Sequence, residues 1–239
     1  MSLRGKIANF FQKIEILLDI DYIEKVIKKH NAQPWFVYAL KDRKNRRHVW
    51  SPSLWLAARL KSHDRILETG CGCGLNLMWF AQNGFKNLLG SDNDPLAIAA
   101  GQEICSKMNF PIQLYLDNGL NPKINIEKPF HCIFALNWTY HVAEFEILNL
   151  CKIYSRLIDH GGYVAIDVID ESYNHYQNNE FLTSDWNKVL SERKPSEYIK
   201  RYSELDIRNA ADQCGLKIVY TEKPPQNSFV PRAVYILQK

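Results

Sequence analysis

Asp64–Ala100 constrains this chain more than any other stretch. An apolar pair, Ile66-Leu67, ends on Glu68. Three glycines follow at alternate positions, Gly70, Gly72 and Gly74, and then Leu75, Met78 and Trp79 repeat at helical spacing. A second apolar pair, Leu88-Leu89, leads through Gly90 and Ser91 to Asp92. Strand, glycine turn, helix, strand, acid is the first half of a dinucleotide-type βαβ unit. Glycine lets such a turn close tightly and lets a ligand reach backbone that a Cβ would screen. Asp92 stands eighteen residues beyond Gly74, where a carboxylate at the tip of the second strand can accept both ribose hydroxyls. The unit reads as a nucleoside-binding site.

The spelling of the turn separates one nucleoside from another. An NAD site is written G-x-G-x-x-G and rests the pyrophosphate on the helix N-terminus. Here the turn runs Glu68-x-Gly70-x-Gly72-x-Gly74, a pattern that resembles motif I of the class I S-adenosylmethionine-dependent methyltransferases. Their ligand has no phosphate but carries an α-amino cation, which the Glu68 carboxylate can help to neutralise. The resemblance implies S-adenosyl-L-methionine as cofactor, held by Glu68, Gly70, Gly72, Gly74 and Asp92, with Asn93 beside it.

The resemblance extends over most of the chain. Pro111–Leu116 reads as a third strand ending in Asp117-Asn118, where the family meets the adenine amine. Phe130–Leu136 reads as a fourth strand, followed by Asn137-Trp138-Thr139-Tyr140-His141-Val142, with Asn137 placed among the donor contacts. A helical stretch, Ala143–Ile158, is closed by Asp159-His160-Gly161-Gly162 and leads into a fifth strand, Tyr163–Ile169. A late helix over 201–215 and strands Leu216–Tyr220 and Arg232–Gln238 complete the pattern. The implied fold is α/β: a doubly wound, mostly parallel, seven-stranded Rossmann-like sheet with an N-terminal helical addition and an insertion after strand five. The expected partition is a helical and aromatic cap segment, 1–62, and a core, 63–239. His131 departs from the Asp common at the start of strand four, a position that is not a donor contact in the family.

A chain of 239 residues fits one α/β domain with additions, or at most two small domains. With 46% hydrophobic and 23% charged residues it is expected to bury a real core as a soluble protein. A formal charge of +4 is too small to mark a nucleic-acid binder, and no nucleic-acid partner is expected. Six cysteines scattered through elements expected to be buried read as free thiols in a reducing cytoplasm. Cys71-x-Cys73 lacks a second ligand pair and the glycine turn already explains its spacing, so no metal is expected. No segment has the apolar length of a membrane span, and Lys13 and Glu15 interrupt what would be the apolar stretch of a signal peptide. Ile7, Phe10, Phe11, Ile14, Leu17 and Leu18 instead form a helical stripe. It packs on the domain or lies on a membrane surface.

Two additions flank the core. Residues 4–30 read as one or two amphipathic helices, with Asp21 and Glu24 as a capping box, and Asn31–Pro34 breaks the pattern. Lys41–His48 holds five Lys or Arg in eight residues. Two readings stay open for it. It is a solvated face, or, with Trp35, Phe36, Tyr38, Trp50 and Trp55 nearby, a patch for a phosphate- or ring-bearing ligand. Ser51-Pro52 is expected to open the helix before strand one. The insertion, residues 171–200, carries Tyr173, His175, Tyr176, Phe181, Trp186 and Tyr198. In the family both additions commonly cover the acceptor, so the insertion is expected to be a lid.

Methyl transfer from a sulfonium is an in-line substitution. The protein must align the acceptor and, for a hydroxyl or ammonium, remove one proton. His141, just past strand four, is the expected base because imidazole titrates near neutrality; the alternative is a histidine satisfied at the start of the next helix. Tyr140 and Asn137 are expected to orient. Asn137-x-x-Tyr140 has the spacing of the amino-methyltransferase Asn-Pro-Pro-Tyr motif but lacks both prolines. Asp167 and Asp170 close strand five on opposite faces, so at most one serves; Asp170 joins His141 and Tyr140 as the catalytic set. The expected partner is a small polar acceptor, sugar-containing or phosphorylated, methylated at oxygen. An RNA methyltransferase, though without a recognisable RNA-binding module, and a non-catalytic nucleoside-binding module are the rivals.

Overall fold

The computed structural model describes residues 14–123, 128–142, 145–173, 189, 200–224 and 230–239. Contacts divide the chain into two compact units, Met1–Phe134 and Ala135–Lys239. The N-terminal helices therefore share a unit with the glycine turn.

In the first unit, α1 (Ile20–Lys29) buries the stripe Ile23, Val26 and Ile27. Its cap is Asp19, whose carboxylate accepts from the Tyr22 amide at 3.1 Å. The box expected at Asp21 is thus shifted: Asp19 has the extended backbone a cap needs, and Asp21 lies inside the first turn. Lys29 and His30, at the far end of α1, bond to Glu103 at 2.7 and 2.6 Å. α2 (Trp35–Lys41) leads through a 3-10 turn, Arg43–Asn45, into α3 (Arg47–Ala57). Pro52 sits inside α3 and does not open it. Its missing amide removes one backbone bond, but Val49, Pro52, Ser53 and Leu56 share the buried face, and that packing carries the helix through.

β1 (Arg65–Thr69), α4 (Leu75–Gln82), β2 (Asn87–Asp92), α5 (Pro95–Met108), β3 (Ile112–Leu116) and β4 (Phe130–Ala135) follow. β1 lies parallel between β2 and β4, and β3 lies parallel beside β2. Parallel neighbours need crossovers, which α4 and α5 supply. Ile66 and Leu67 are fully buried, as expected of a strand covered on both faces. His131, the departure noted in strand four, accepts the Arg65 amide on Nδ1 at 3.0 Å and so anchors the entry of β1.

The second unit holds α6 (Ile147–Leu157), β5 (Ile158–Asp170), β6 (Arg201–Tyr202), α7 (Glu204–Asp212), β7 (Lys217–Glu222) and β8 (Arg232–Gln238). β8 runs antiparallel to both β5 and β7, and the two-residue β6 adds a parallel pairing to the end of β5. β5 begins five residues earlier than the sequence suggests. The Gly161 amide donates to the Lys239 carbonyl and the Lys239 amide to the Gly162 carbonyl, which turns an expected loop into paired strand. α7 is shorter than expected at its start because Ser203 and Asp206 form a capping box there. Among the described residues no helix is long and apolar enough to cross a membrane. Residues 174–188 and 190–199, most of the expected lid, and the stripe before Ile14 lie outside the described residues.

Candidate active site

The turn between β1 and α4 is built on left-handed backbone: φ is +65° at Gly70, +54° at Gly72 and +81° at Gly74. A Cβ on Gly72 would also overlap the ring of Phe36, which α2 lays against the turn. No other residue satisfies both demands. Asp92, at the end of β2, closes the turn from the other side. One carboxylate oxygen accepts the Gly72 amide at 2.7 Å and the other accepts the Asp94 amide at 2.9 Å. A carboxylate offers about four acceptor positions, so this one is oriented without being exhausted. Asn93 is exposed beside it. The Asp117 amide donates to the Asp92 carbonyl at 2.9 Å, tying the end of β3 to the end of β2. Asp117 and Asn118 spend their side chains on the loop itself, accepting the Lys123 and Leu120 amides at 2.9 Å each. The structure therefore gathers Glu68, the three glycines, Asp92, Asn93, Asp117 and Asn118 at the carboxyl ends of adjacent strands, the edge where open α/β sheets bind nucleotides.

Glu68 is buried, with 5% exposure, and its Oε2 has no hydrogen-bond partner. Burial pushes its carboxyl up to about 8, against the pull of Arg43. Arg43 belongs to the basic run but is turned inward, with 6% exposure. Its Nε donates to the Ile14 carbonyl, its Nη2 donates to Asn76 Oδ1 at 3.4 Å, and its guanidinium lies 5.6 Å from the centre of the Trp79 ring. Burial lowers Arg43 to about 10, again opposed by its partner Glu68. Asn76 Oδ1 also accepts the Ser53 hydroxyl at 2.9 Å, while Asn76 Nδ2 has no partner. The run is thus not one continuous solvated face, since Arg43 is turned out of it; Lys41 stays exposed, in an ion pair with Glu24. The sequence reading missed Arg43 and Asn76. The available signal was one amide, Asn76, inside the apolar start of α4. The thiols of Cys71 and Cys73 flank Gly72, and burial pushes both up.

In the second unit Asn137, Tyr140, Asp167 and Arg232 form a polar cluster in which Asp167 Oδ2 makes no hydrogen bond. Asn137, at φ +68°, donates its amide to Asp167 Oδ1 at 2.6 Å. Its Oδ1 accepts both the Tyr140 hydroxyl, at 3.0 Å, and Arg232 Nη1. The Arg232 guanidinium lies 4.1 Å over the Tyr140 ring and 3.8 Å from Asp167 Oδ2. The Thr139 hydroxyl donates to the Asp167 carbonyl at 2.8 Å. His141 is exposed at the end of the 3-10 turn Thr139–His141, its ring 4.2 Å from that of Tyr140. Asp170 is buried and accepts the Ser172 amide at 3.0 Å, fixing the chain as it leaves β5. Asp167 and Asp170 do take different environments, and Asp167 belongs to the cluster. Nothing in the sequence motif pointed to Arg232.

S-adenosyl-L-methionine fits what the first unit offers. Its ammonium matches the buried Glu68 oxygen that lacks a donor, and its ribose matches an Asp92 carboxylate already aimed by two amides. Comparison with known proteins agrees. Yeast (Saccharomyces cerevisiae) sterol 24-C-methyltransferase ERG6 is 24% identical over 173 residues, covering 71% of this chain and 43% of that one. The chain spans less than half the length of the curated relatives it matches. Magnesium protoporphyrin IX methyltransferase from Synechocystis, solved with S-adenosylhomocysteine, superposes with a TM-score of 0.63 at 16% identity, over 92% of this chain and 96% of that one. The [4+2]-cyclase SpnF gives a TM-score of 0.61 at 10% identity, over 79% and 80%. Likeness at these identities shows a shared fold, Rossmann-like and mixed α/β with mostly parallel strands. Residues 42–221, well over half of the sequence, match the family described as the methyltransferase domain, and the chain belongs to that family.

Proposed function

We propose that this chain transfers a methyl group from S-adenosyl-L-methionine to an oxygen of a small polar acceptor that carries a sugar or a phosphate. The observation behind the donor half is the buried Glu68 carboxylate with one oxygen unpartnered beneath the glycine turn. Glu68 would take the ammonium, Gly70–Gly74 the close approach of the ligand, and Asp92 the ribose hydroxyls. Asn93, Asp117 and Asn118 would border the adenine. When bound, the donor supplies a methyl on a sulfonium, an electrophile that needs no further activation. The remaining task is to hold the acceptor and take its proton. We assign that proton to His141, whose ring is exposed, and the holding of the acceptor to Tyr140 and Asp170. Asn137, placed among the donor contacts by the motif, spends its side chain on Tyr140 and Arg232, so its proposed part is to orient Tyr140.

A small acceptor is favoured over RNA because two of the five cations in the basic run are already engaged, Arg43 buried against Asn76 and Lys41 in an exposed ion pair with Glu24. Exposed Lys44 would help to attract a phosphorylated acceptor. The test has two stages. Calorimetry should show S-adenosylhomocysteine binding, and methyl-labelled donor should then pass label to a small-molecule extract. Label entering only RNA, with steep salt dependence, would overturn the acceptor. Bound donor with no label in either pool would favour a binding module, and NADH binding without donor binding would sink the donor.

A further inference from the structure

We infer that the first unit carries a second binding site, at the amino ends of its strands, for a small molecule with a phosphate on an apolar or ring-bearing body. It stands apart from the glycine turn and does not depend on the donor reading.

The strand starts build it. A cavity of about 400 Å³ opens where β1, β2 and β3 begin. Three cations line it: Arg65, the first residue of β1, Lys86, just before β2, and Lys128, shortly before β4. Leu88, Leu89 and Pro111 give it an apolar wall, and no acid lines it among the described residues. Asp64, beside Arg65 in the chain, is buried and accepts the Lys61 amide at 2.8 Å. Elsewhere in the unit exposed lysines meet acids, Lys29 with Glu103 and Lys41 with Glu24. A cleft lined by one sign of charge focuses its field and draws counter-ions.

Much of the wall is fixed before a ligand arrives. Arg65 Nη1 donates to the Lys128 carbonyl, and the guanidinium lies 4.7 Å from the centre of the Phe130 ring. Its remaining N–H groups are therefore held in one place. The Lys86 amide donates to the Ser62 carbonyl at 2.9 Å and Asn87 Nδ2 to the His63 carbonyl at 2.5 Å. Those two bonds pin the loop before β1 to the entry of β2. Gln113, also in the lining, accepts the Tyr115 hydroxyl on Oε1 at 2.6 Å, so what it offers a ligand is its side-chain N–H.

The chemistry of the wall selects the ligand. A phosphate monoester carries about −1.5 to −2 charges near neutrality and accepts several hydrogen bonds. It matches three cations better than a single carboxylate does, and arginine grips it with two N–H groups at once. The cavity has the size of a small-molecule pocket, and its cations are gathered in one recess rather than strung along a strand of nucleic acid. It is not the acceptor's place. β2 runs from Asn87 at this edge to Asp92 at the other, which at about 3.3 Å per residue is on the order of 15 Å. Methyl transfer needs reacting atoms about 3–3.5 Å apart, so a ligand held here is bound and not methylated.

The test titrates phenyl phosphate into isotope-labelled protein and follows the amide signals by NMR. Phenyl phosphate has a ring and a dianion but no adenosine to enter the donor site. Saturable shifts should centre on Lys86, Asn87 and Gln113, with Kd below about 1 mM. Lys86→Gln and Lys128→Gln change exposed residues and should fold. Each should weaken binding about five- to tenfold, and both together by more than about 30-fold. Lys25→Gln, on the exposed side of α1, should stay within about twofold. Phenol, without the phosphate, should leave the signals in place. Should a variant not fold, the map of shifts in the wild type still decides. Shifts scattered over the surface, an equal loss in Lys25→Gln, equal binding of phenol, or no saturation by about 10 mM overturns the site. An RNA oligonucleotide that moves these amides with steep salt dependence, where phenyl phosphate does not, overturns the small ligand.

Discussion

The turn after β1 and the cluster around Asp167 are both buried and polar, and each leaves one carboxylate oxygen without a hydrogen bond, Glu68 Oε2 in the first and Asp167 Oδ2 in the second. Around Asp167 the unbonded oxygen faces a cation, Arg232 Nη1 at 3.8 Å, while Oδ1 accepts the Asn137 amide, the Asp167 carbonyl accepts the Thr139 hydroxyl, and Asn137 Oδ1 accepts Tyr140 and Arg232. Beneath the glycine turn, Glu68 Oε2 and Asn76 Nδ2 are left without partners. A buried polar group left unpaired costs about 1–3 kcal/mol, so folded chains rarely leave one without cause. The contrast is between an unbonded oxygen with a cation of the chain within ion-pair distance and one without. Asp167 and Glu68 are both strand-end carboxylates in the sequence, and only their surroundings tell them apart.

The contrast can be broken or sharpened by substitution. The largest effect is expected at His141, the exposed neighbour of the Asp167 cluster. His141→Ala should lower turnover by about 10²–10⁴-fold, the range for a positioned base, with S-adenosylhomocysteine affinity unchanged. Near-normal turnover would make His141 a surface residue. Arg232→Leu attacks the cluster itself, leaving Asp167 buried without its cation. It should cost about 3–5 kcal/mol in urea unfolding, and a loss within error would mean the cluster is not the framework described.

On the ligand-facing side, Asp92→Ala removes hydrogen bonds to hydroxyls and should weaken donor affinity by roughly 10- to 150-fold. Unchanged affinity takes Asp92 out of the site. The smallest effect is a slope. Glu68 binds its proton more tightly folded, at about 8, than unfolded, near 4.5. Its contribution to stability is therefore full below pH 4.5 and is lost as pH rises toward 8. Urea midpoints of the ligand-free protein should fall over that window, by at most about 1.4 kcal/mol per pH unit from this one group. Glu68→Gln should flatten the fall, and a slope that survives the substitution assigns it elsewhere.

What the sequence disclosed follows from how local each signal is. Glu68, the alternate glycines and Asp92 are spaced by the geometry of one βαβ unit, so their gathering could be read before any contact was known. Arg232–Gln238 was bounded correctly because its continuous apolar run, Ala233–Leu237, is flanked by a polar residue at each end. The cap of α1 was placed two residues late because Asp19 and Asp21 look alike until the backbone at Asp19 is seen to be extended. Ser51-Pro52 looked like a helix start, yet tertiary packing of α3 overrode the proline. Arg43 was hidden inside a run of like charges, where composition argues for water. Its burial depends on Ile14, Asn76 and Trp79, which lie 29 and more residues away.

The end of β5 bears on how such a chain diversifies. The Glu171 amide donates to the Tyr202 carbonyl at 3.2 Å, Tyr173 is buried against Tyr140 and Ile169, and β6 pairs with the last residues of β5. The two ends of the 171–200 insertion are thus stapled side by side, whatever lies between them. Closing a loop between fixed ends depends only weakly on its length, about 0.6 kcal/mol for each doubling. Inheritance can therefore lengthen, shorten or rewrite the intervening text while the staple stays intact. The frame would be kept as a socket, whatever is plugged into it.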